Sequence, residues 1–173
     1  WANSRASLLP VHDGGTTTLL VVTVDLTQRK AAEAAIRDSE ERFRQFGDAS
    51  SDGLWVWNVE TRRWEYLSAA VDAICGIDSG RLLQTGGLDD FARIIHPDDV
   101  TATMDRFRGL VEGANSFDFR IIHPLDGQIR WLRITGFALL DNDGAVRRLG
   151  GIIHDMTEEV RISGRMKVLL AEL

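Results

Sequence analysis

Arg148-Leu149-Gly150-Gly151-Ile152-Ile153-His154-Asp155-Met156-Thr157 is the stretch whose reading decides the fold. An apolar run meets a short polar signal, and a charged, helix-favouring stretch (Glu158, Glu159, Val160, Arg161) follows at once. That pattern is a strand passing directly into a helix, with Asp155 or Thr157 placed to cap the first free N–H groups. The junction has an earlier counterpart in Leu20-Val21-Val22-Thr23-Val24-Asp25-Leu26-Thr27. At one common offset Asp25 matches Asp155, Thr27 matches Thr157, Leu19 matches Leu149, and Asp13-Gly14 matches Asp143-Gly144. Turn, strand, Asp-x-Thr and helix coincide in one register, which marks an internal repeat.

Working back toward the N-terminus, Ala6 to Val11 and Thr16 to Val24 read as a hairpin about Asp13-Gly14-Gly15. Two strands alone cannot bury their apolar face. Residues 1–26 are therefore expected to be the last hairpin of an upstream copy, packing between molecules in this fragment. Thr27 to Phe46 reads as a helix that Gly47 breaks, and Ala32, Ile36, Ser39, Phe43 and Phe46 fall at heptad spacing. Glu33–Arg37, Asp38–Arg42 and Glu40–Arg44 are i,i+4 pairs of the favourable polarity. The helix is either amphipathic on its own sheet or one strand of a coiled coil joining sensor modules.

Asp52 to Val59 is a strand apolar on both faces, Leu54 and Val56 on one side, Trp55, Trp57 and Val59 on the other. Trp64 to Leu67 pairs with it. Ser68 caps a helix, Ala69 to Cys75, that Gly76 ends; Arg81 to Gly87 reads as a loop; Leu88 to Ile95 is a short helix. His96-Pro97-Asp98-Asp99 starts a longer helix, about Val100 to Val111, with Asp98 or Asp99 at its positive dipole end. Three strands follow: Phe117 to His123, Ile129 to Leu140 and Val146 to His154. Thr157 to Leu173 is helical, with Ile162, Met166, Leu169 and Leu173 on a stripe.

This order resembles a PAS domain with a trailing PAC segment. The resemblance covers roughly Phe46 to Thr157 and rests on five stretches. These are Asp52-Gly53-Leu54-Trp55-Val56-Trp57-Asn58, Ile95-His96-Pro97-Asp98-Asp99, Phe119-Arg120-Ile121, Asp126-Gly127-Gln128-Ile129-Arg130-Trp131 and Asp155-Met156-Thr157. It implies an α+β fold: a five-stranded antiparallel sheet in order 2-1-5-4-3, short helices on one face, and flanking signalling helices. The divisions that follow are 1–26 (hairpin remnant), 27–46 (linker or coiled-coil helix), 47–157 (PAS domain) and 158–173 (exit helix). A second resemblance, over Met166 to Leu173, is to the start of the phosphoacceptor helix of HWE-type sensor histidine kinases; an ordinary amphipathic tail reads equally well.

The resemblance implies a sensory and dimerisation module without activity of its own, in a bacterial signalling protein. It would relay a signal through Asp155 and Thr157 to a histidine kinase. A purely structural spacer and a module of a cyclic-dinucleotide synthase are the alternatives. Its cavity would lie between sheet and helices, with Trp55, Trp57, Phe91, Ile94, Phe107, Ile122, Leu132, Ile134 and Ile152 as candidate walls. A filled core is the plainer expectation. Arg120, a charge on an apolar strand, either holds an anionic ligand or pairs with a carboxylate such as Asp118 or Glu65, since burying it unpaired is costly. Haem and flavin are disfavoured: the long helix has no His, and the flavin-binding Asn-Cys-Arg-Phe motif is absent. The expected partners are a second copy through the flanking helices, and neighbouring PAS and kinase domains of the same protein.

Composition agrees with such a module. The 173 residues carry a formal charge of −6 and 27 % charged side chains, which argues against nucleic acid, whose binding needs a basic face. No apolar run approaches the ~20 residues of a membrane helix, so no membrane contact is expected. The single Cys75 excludes an internal disulfide, fits a reducing cytoplasm and reads as a small buried apolar group. His12, His96, His123 and His154 fall on separate elements, so no metal site is expected. His154-Asp155 looks superficially like a phosphoacceptor pair, but it ends a strand and no ATP-binding segment is present. The chain opens on Trp1 without a Met and reads as part of something longer.

Overall fold

The computed structural model describes residues 4–13, 16–25 and 27–171, with side chains from residue 27 onward apart from Thr85, Leu169 and Ala171. The Gly14-Gly15 turn and the Leu169 and Leu173 side chains of the last stripe lie outside the described residues. The chain divides into two units, one ending at Gln45 and one beginning at Phe46.

In the first unit, β1 (Ser4–Asp13) and β2 (Thr16–Asp25) form an antiparallel pair, Ser4 opposite Asp25. Helix α1 (Thr27–Ala49) follows and crosses the division. Its Asp38–Arg42 pair forms at 2.8 Å, while Glu33 pairs with Arg29 at 2.8 Å. The predicted break at Gly47 is corrected: the helix runs on to Ala49 with Gly47 buried. A Cβ there would overlap the Tyr66 hydroxyl, so the glycine serves close approach.

The second unit holds one sheet in the order β4-β3-β7-β6-β5, all neighbours antiparallel. Its strands are β3 (Gly53–Asn58), β4 (Arg63–Leu67), β5 (Asn115–Ile122), β6 (Ile129–Leu140) and β7 (Val146–Asp155). Renumbered within the domain, this is the expected 2-1-5-4-3. Alternation along each strand separates two faces. Trp55, Trp57, Phe117, Phe119, Ile121, Leu132, Ile134, Leu149 and Ile153 are buried on the inner one. At the centre β6 and β7 approach so closely that a Cβ on Gly151 would overlap the Thr135 carbonyl and Gly136 Cα.

The connection from β4 to β5 supplies the cover: α2 (Ala69–Cys75), α3 (Ser79–Thr85), α4 (Leu88–Ala92), a 3₁₀ turn (Pro97–Asp99) and α5 (Val100–Gly109). Three expectations fail here for identifiable reasons. The supposed loop from Arg81 to Gly87 is mostly α3, because Asp78 accepts the Arg81 N–H at 3.0 Å and Leu82 is buried. Ser68 stands at the N-terminus of α2, but its hydroxyl accepts the Leu54 N–H at 2.9 Å, extending the strand pairing. The helix expected to reach Ile95 stops at Ala92, because Ile94 to His96 turn to bond β5: Ile122 N donates to Ile94 O and His96 N to Arg120 O, both at 2.8 Å. The exit helix α6 (Thr157–Ala171) begins two residues beyond β7. Among the described residues no helix is long and apolar enough to cross a membrane.

Candidate functional site

The inner face is filled by aromatic rings. Trp57 and Trp64 pack edge-on with centroids 4.9 Å apart, and Trp55 lies 5.4 Å from Phe107. Trp64 reaches Phe91 at 6.1 Å and Phe91 reaches Phe119 at 6.3 Å. Seven predicted wall residues are buried in this layer: Trp55, Trp57, Phe91, Ile94, Phe107, Leu132 and Ile134. They plug the space they were expected to line. One cleft that stays open, of about 330 Å3, lies at the edge of the plug between α4 and α5. Trp57, Val59, Leu88, Ala92, Val100, Met104, Phe107, Val111 and Leu149 make its apolar walls, and Arg62, Asp89 and Arg108 stand with them. Only Trp57 and Phe107 of the predicted walls face it. Arg62, in the turn after β3, has φ 55°, an uncommon conformation for a non-glycine residue. Met104, Phe107 and Val111 recur at i, i+3 and i+7, the spacing of one helical face, whereas Arg62 and Leu88 carry no such sequence signal.

Arg120, Ile122 and Ile152 are corrections to the predicted cavity. All three sit on the outer face, Ile122 and Ile152 about two-fifths exposed. Arg120 meets neither Asp118 nor Glu65. Its Nε and Nη2 donate to the two oxygens of Asp99 at 2.9 and 2.7 Å, and its backbone N–H adds a third bond at 2.9 Å. Asp98 lies 3.7 Å away, and the guanidinium stands 5.7 Å from the Trp131 ring. The Arg120 hydrogen bonds hold the Asp99 carboxyl down to about 2. Asp118 is taken by Arg133, at 2.6 and 2.8 Å, and Glu65 by Arg148. Arg120 thus fastens the 3₁₀ turn before α5 onto β5.

The strand-to-helix junction is closed by side chains. Asp155 Oδ1 accepts from the Thr157 N–H at 2.9 Å and from the Thr157 hydroxyl at 2.5 Å. The same hydroxyl oxygen accepts from the Trp131 N–H at 3.1 Å, and Met156 N donates to the Trp131 carbonyl at 2.8 Å. The root of α6 is thereby bonded to β6 as well as to β7. Cys75 is buried and free, its thiol pushed up to about 12 by burial and then by Asp155 and Asp72. His96 accepts the Asp98 N–H through Nδ1 at 3.4 Å, a local role at the turn. His154, one residue before the end of β7, lies between two carboxylates that sequence reasoning did not connect: Asp52 at 2.6 Å and Glu159 at 3.4 Å. Among the described residues no cluster of three His, Cys, Asp or Glu side chains is placed to hold a metal.

A five-stranded antiparallel sheet of this order, covered on one face by a run of short helices, is the arrangement the PAS fold family shares. The sequence profile of that family matches residues 65–153, 89 of the chain's 173. The chain belongs to the PAS fold family. Similar curated proteins are the non-motile and phage-resistance protein of Caulobacter vibrioides and the two-component sensor PprA of Pseudomonas aeruginosa. The first is 29 % identical over 158 residues, 88 % of this chain and 18 % of that protein. The second is 26 % identical over 153 residues, 87 % of this chain and 16 % of that protein. The PAS chain thus spans less than a fifth of either relative's length. Among solved structures, a sensory box histidine kinase/response regulator from Burkholderia thailandensis is 27 % identical with a TM-score of 0.57, covering 76 % of this chain and 96 % of that one.

Proposed function

We propose that the chain is a sensory and dimerisation PAS module of a cytoplasmic, multi-domain bacterial signalling protein, without catalysis of its own. It passes its state through α6 to a histidine kinase. The observation that carries this reading is the Thr157 hydroxyl, bonded at once to Asp155 and to the Trp131 N–H. One side chain couples the first residue of the exit helix to two adjacent strands, so a shift between those strands moves the helix. The relatives named for two-component sensing and for a sensory box kinase support the output.

Residues 4–49 read best as the closing hairpin and exit helix of an upstream PAS copy. Thr16–Asp25 has the same length and register against Thr27 as Val146–Asp155 has against Thr157. Exposed Ile36, Phe43 and Phe46 on α1, and Ile162 and Met166 on α6, supply apolar stripes for pairing with a second copy. Haem and flavin are not assigned, since α5 carries no His and the chain has no Asn-Cys-Arg-Phe motif. The filled aromatic layer favours a second reading, a spacer that dimerises and senses nothing. A small molecule carried by the purified chain, and displaced when Met104→Trp fills the cleft, separates the first reading from the second.

The relay is tested in the full-length parent. Incubation with labelled ATP is expected to place acid-labile phosphate on a histidine outside these residues. Thr157→Val, which keeps shape but removes the hydroxyl, is expected to change that rate by at least about fivefold, the scale of a typical coupling energy. Phosphate incorporation absent in the parent, or equal in parent and variant, overturns the reading.

A further inference from the structure

His154 occupies a position that the relay through Thr157 does not use. It is the penultimate residue of β7, on the outer face with Ile152. Its Nδ1 lies 2.6 Å from Asp52 Oδ1, in the loop three residues beyond the end of α1. Its Nε2 lies 3.4 Å from Glu159 Oε1, in the first turn of α6. A carboxylate only accepts hydrogen bonds, and a neutral imidazole has one N–H. Both contacts are therefore satisfied together only by the imidazolium, which donates from both nitrogens.

We propose that protonated His154 is a clasp holding the first turn of α6 to the loop that leads into β3, and that its release at higher pH loosens the exit helix. When the ring loses a proton, the shorter and stronger bond to Asp52 keeps the remaining N–H on Nδ1. The Nε2 lone pair then faces the lone pairs of Glu159, and the α6 side of the clasp opens. The other charges about the ring are already engaged. Arg133, opposite His154 on β6, is held by Asp118, and Glu158 of α6 is held by Arg161 at 3.0 Å. The elements facing the imidazole thus contribute two carboxylates directed at it, Asp52 and Glu159, and one cation beside it, Arg133.

The ring's pKa is raised from its ordinary 6.5, chiefly by the hydrogen bond to Asp52, with burial opposing and Glu159 adding. Stabilisation by the clasp is therefore complete below about 6.5 and lost as pH rises through the folded value. The imidazole is 45 % exposed, so the effect is modest. It does not depend on which output lies beyond α6.

The test uses the 173-residue chain and NMR between pH 5.5 and 9. His154 is expected to titrate above 6.5, with its midpoint lowered by Glu159→Gln and lowered further by Asp52→Asn. Amide exchange at Val160 and Arg161, corrected for base catalysis, reads the grip on α6. Protection there is expected to fall about 2–5-fold across the titration, the scale of a partly exposed ion pair. That fall should disappear in His154→Gln and in Glu159→Gln. A His154 midpoint at or below 6.5, protection independent of pH, or an undiminished fall in His154→Gln overturns the clasp.

Discussion

The two faces of the five-stranded sheet are made by the same strands and behave as different materials. Phe119 on β5 and Phe137 on β6 are both phenylalanines in one sheet, yet Phe119 is 1 % exposed and Phe137 is 45 % exposed. Phe119 packs among Phe91 and Phe117 under the helices. Phe137 stands on the outer face, in register with Gly150 and so with Val56 beyond it. Stability is concentrated on the inner face, where apolar surface leaves water and rings interlock. The outer face is organised by separate charged ties: Arg120 to Asp99, Arg133 to Asp118, Arg148 to Glu65, and His154 to Asp52 and Glu159. A domain built this way can alter its outer ties without melting.

The largest effect expected from this contrast is at Phe119. Phe119→Ala removes a fully buried ring from a packed apolar layer. It should cost about 3–5 kcal/mol in chemical denaturation of the 173-residue chain. A loss below about 1 kcal/mol would mean the helical cover collapses onto the gap, and the two faces would no longer differ in kind.

Much of this division was legible in the residues. Along β3, Trp55 and Trp57 alternate with Leu54 and Val56, and the structure keeps that alternation. The Asp-x-Thr signal marked the end of β7 and the start of α6 within one residue. The sheet order came from the family resemblance, since nothing in a strand names its neighbour. The misplaced wall residues share a cause. Ile121-Ile122 and Ile152-Ile153 are doublets, and a doublet of equal hydrophobicity leaves the inward parity open. Pairing settles it: Phe119 lies opposite Leu132 and Ile153 opposite Ile134, so the inner members are Ile121 and Ile153. The carboxylate that Arg120 calls for is not one of those near it on its own sheet: Asp99 arrives from the turn before α5, 21 residues away in sequence. Gly47 reads as a helix breaker in sequence because its reason for being there, Tyr66, also belongs to another element. Periodicity reports which residues share a face; it does not report which distant group meets them.

Arg120→Ala probes the ties rather than the core, and an intermediate effect is expected. Losing a two-pronged bond to Asp99, with both side chains about three-quarters covered, should lower stability in chemical denaturation near pH 7, by less than Phe119→Ala does. Acid sharpens the test. Asp99 is held at about 2 against an ordinary 3.8, so the pair's stabilisation is present above the ordinary value and is lost as pH falls through about 2. Other carboxylates held down by arginines, Asp118 among them, make both proteins less stable in acid. The difference between wild type and Arg120→Ala should nevertheless narrow steadily from pH 4 to pH 2. A difference constant over that range would place the contribution of Arg120 in its contact with Trp131, which does not titrate.

The smallest effect belongs to Phe137. Roughly half of its ring is already wet, and solvent fills the space when the ring is removed, so no cavity term arises. Phe137→Thr keeps a residue suited to strands and should cost about 1 kcal/mol or less, the transfer value of the covered half alone. The informative variable is protein concentration. In a chain whose outer face meets only water, the cost is the same at micromolar and at millimolar protein. A cost that grows with concentration would mean that the second copy proposed to pair through the flanking helices also covers the outer face. The contrast with Phe119 would then hold for the separate chain and vanish in the dimer, because both faces of the sheet would be interior.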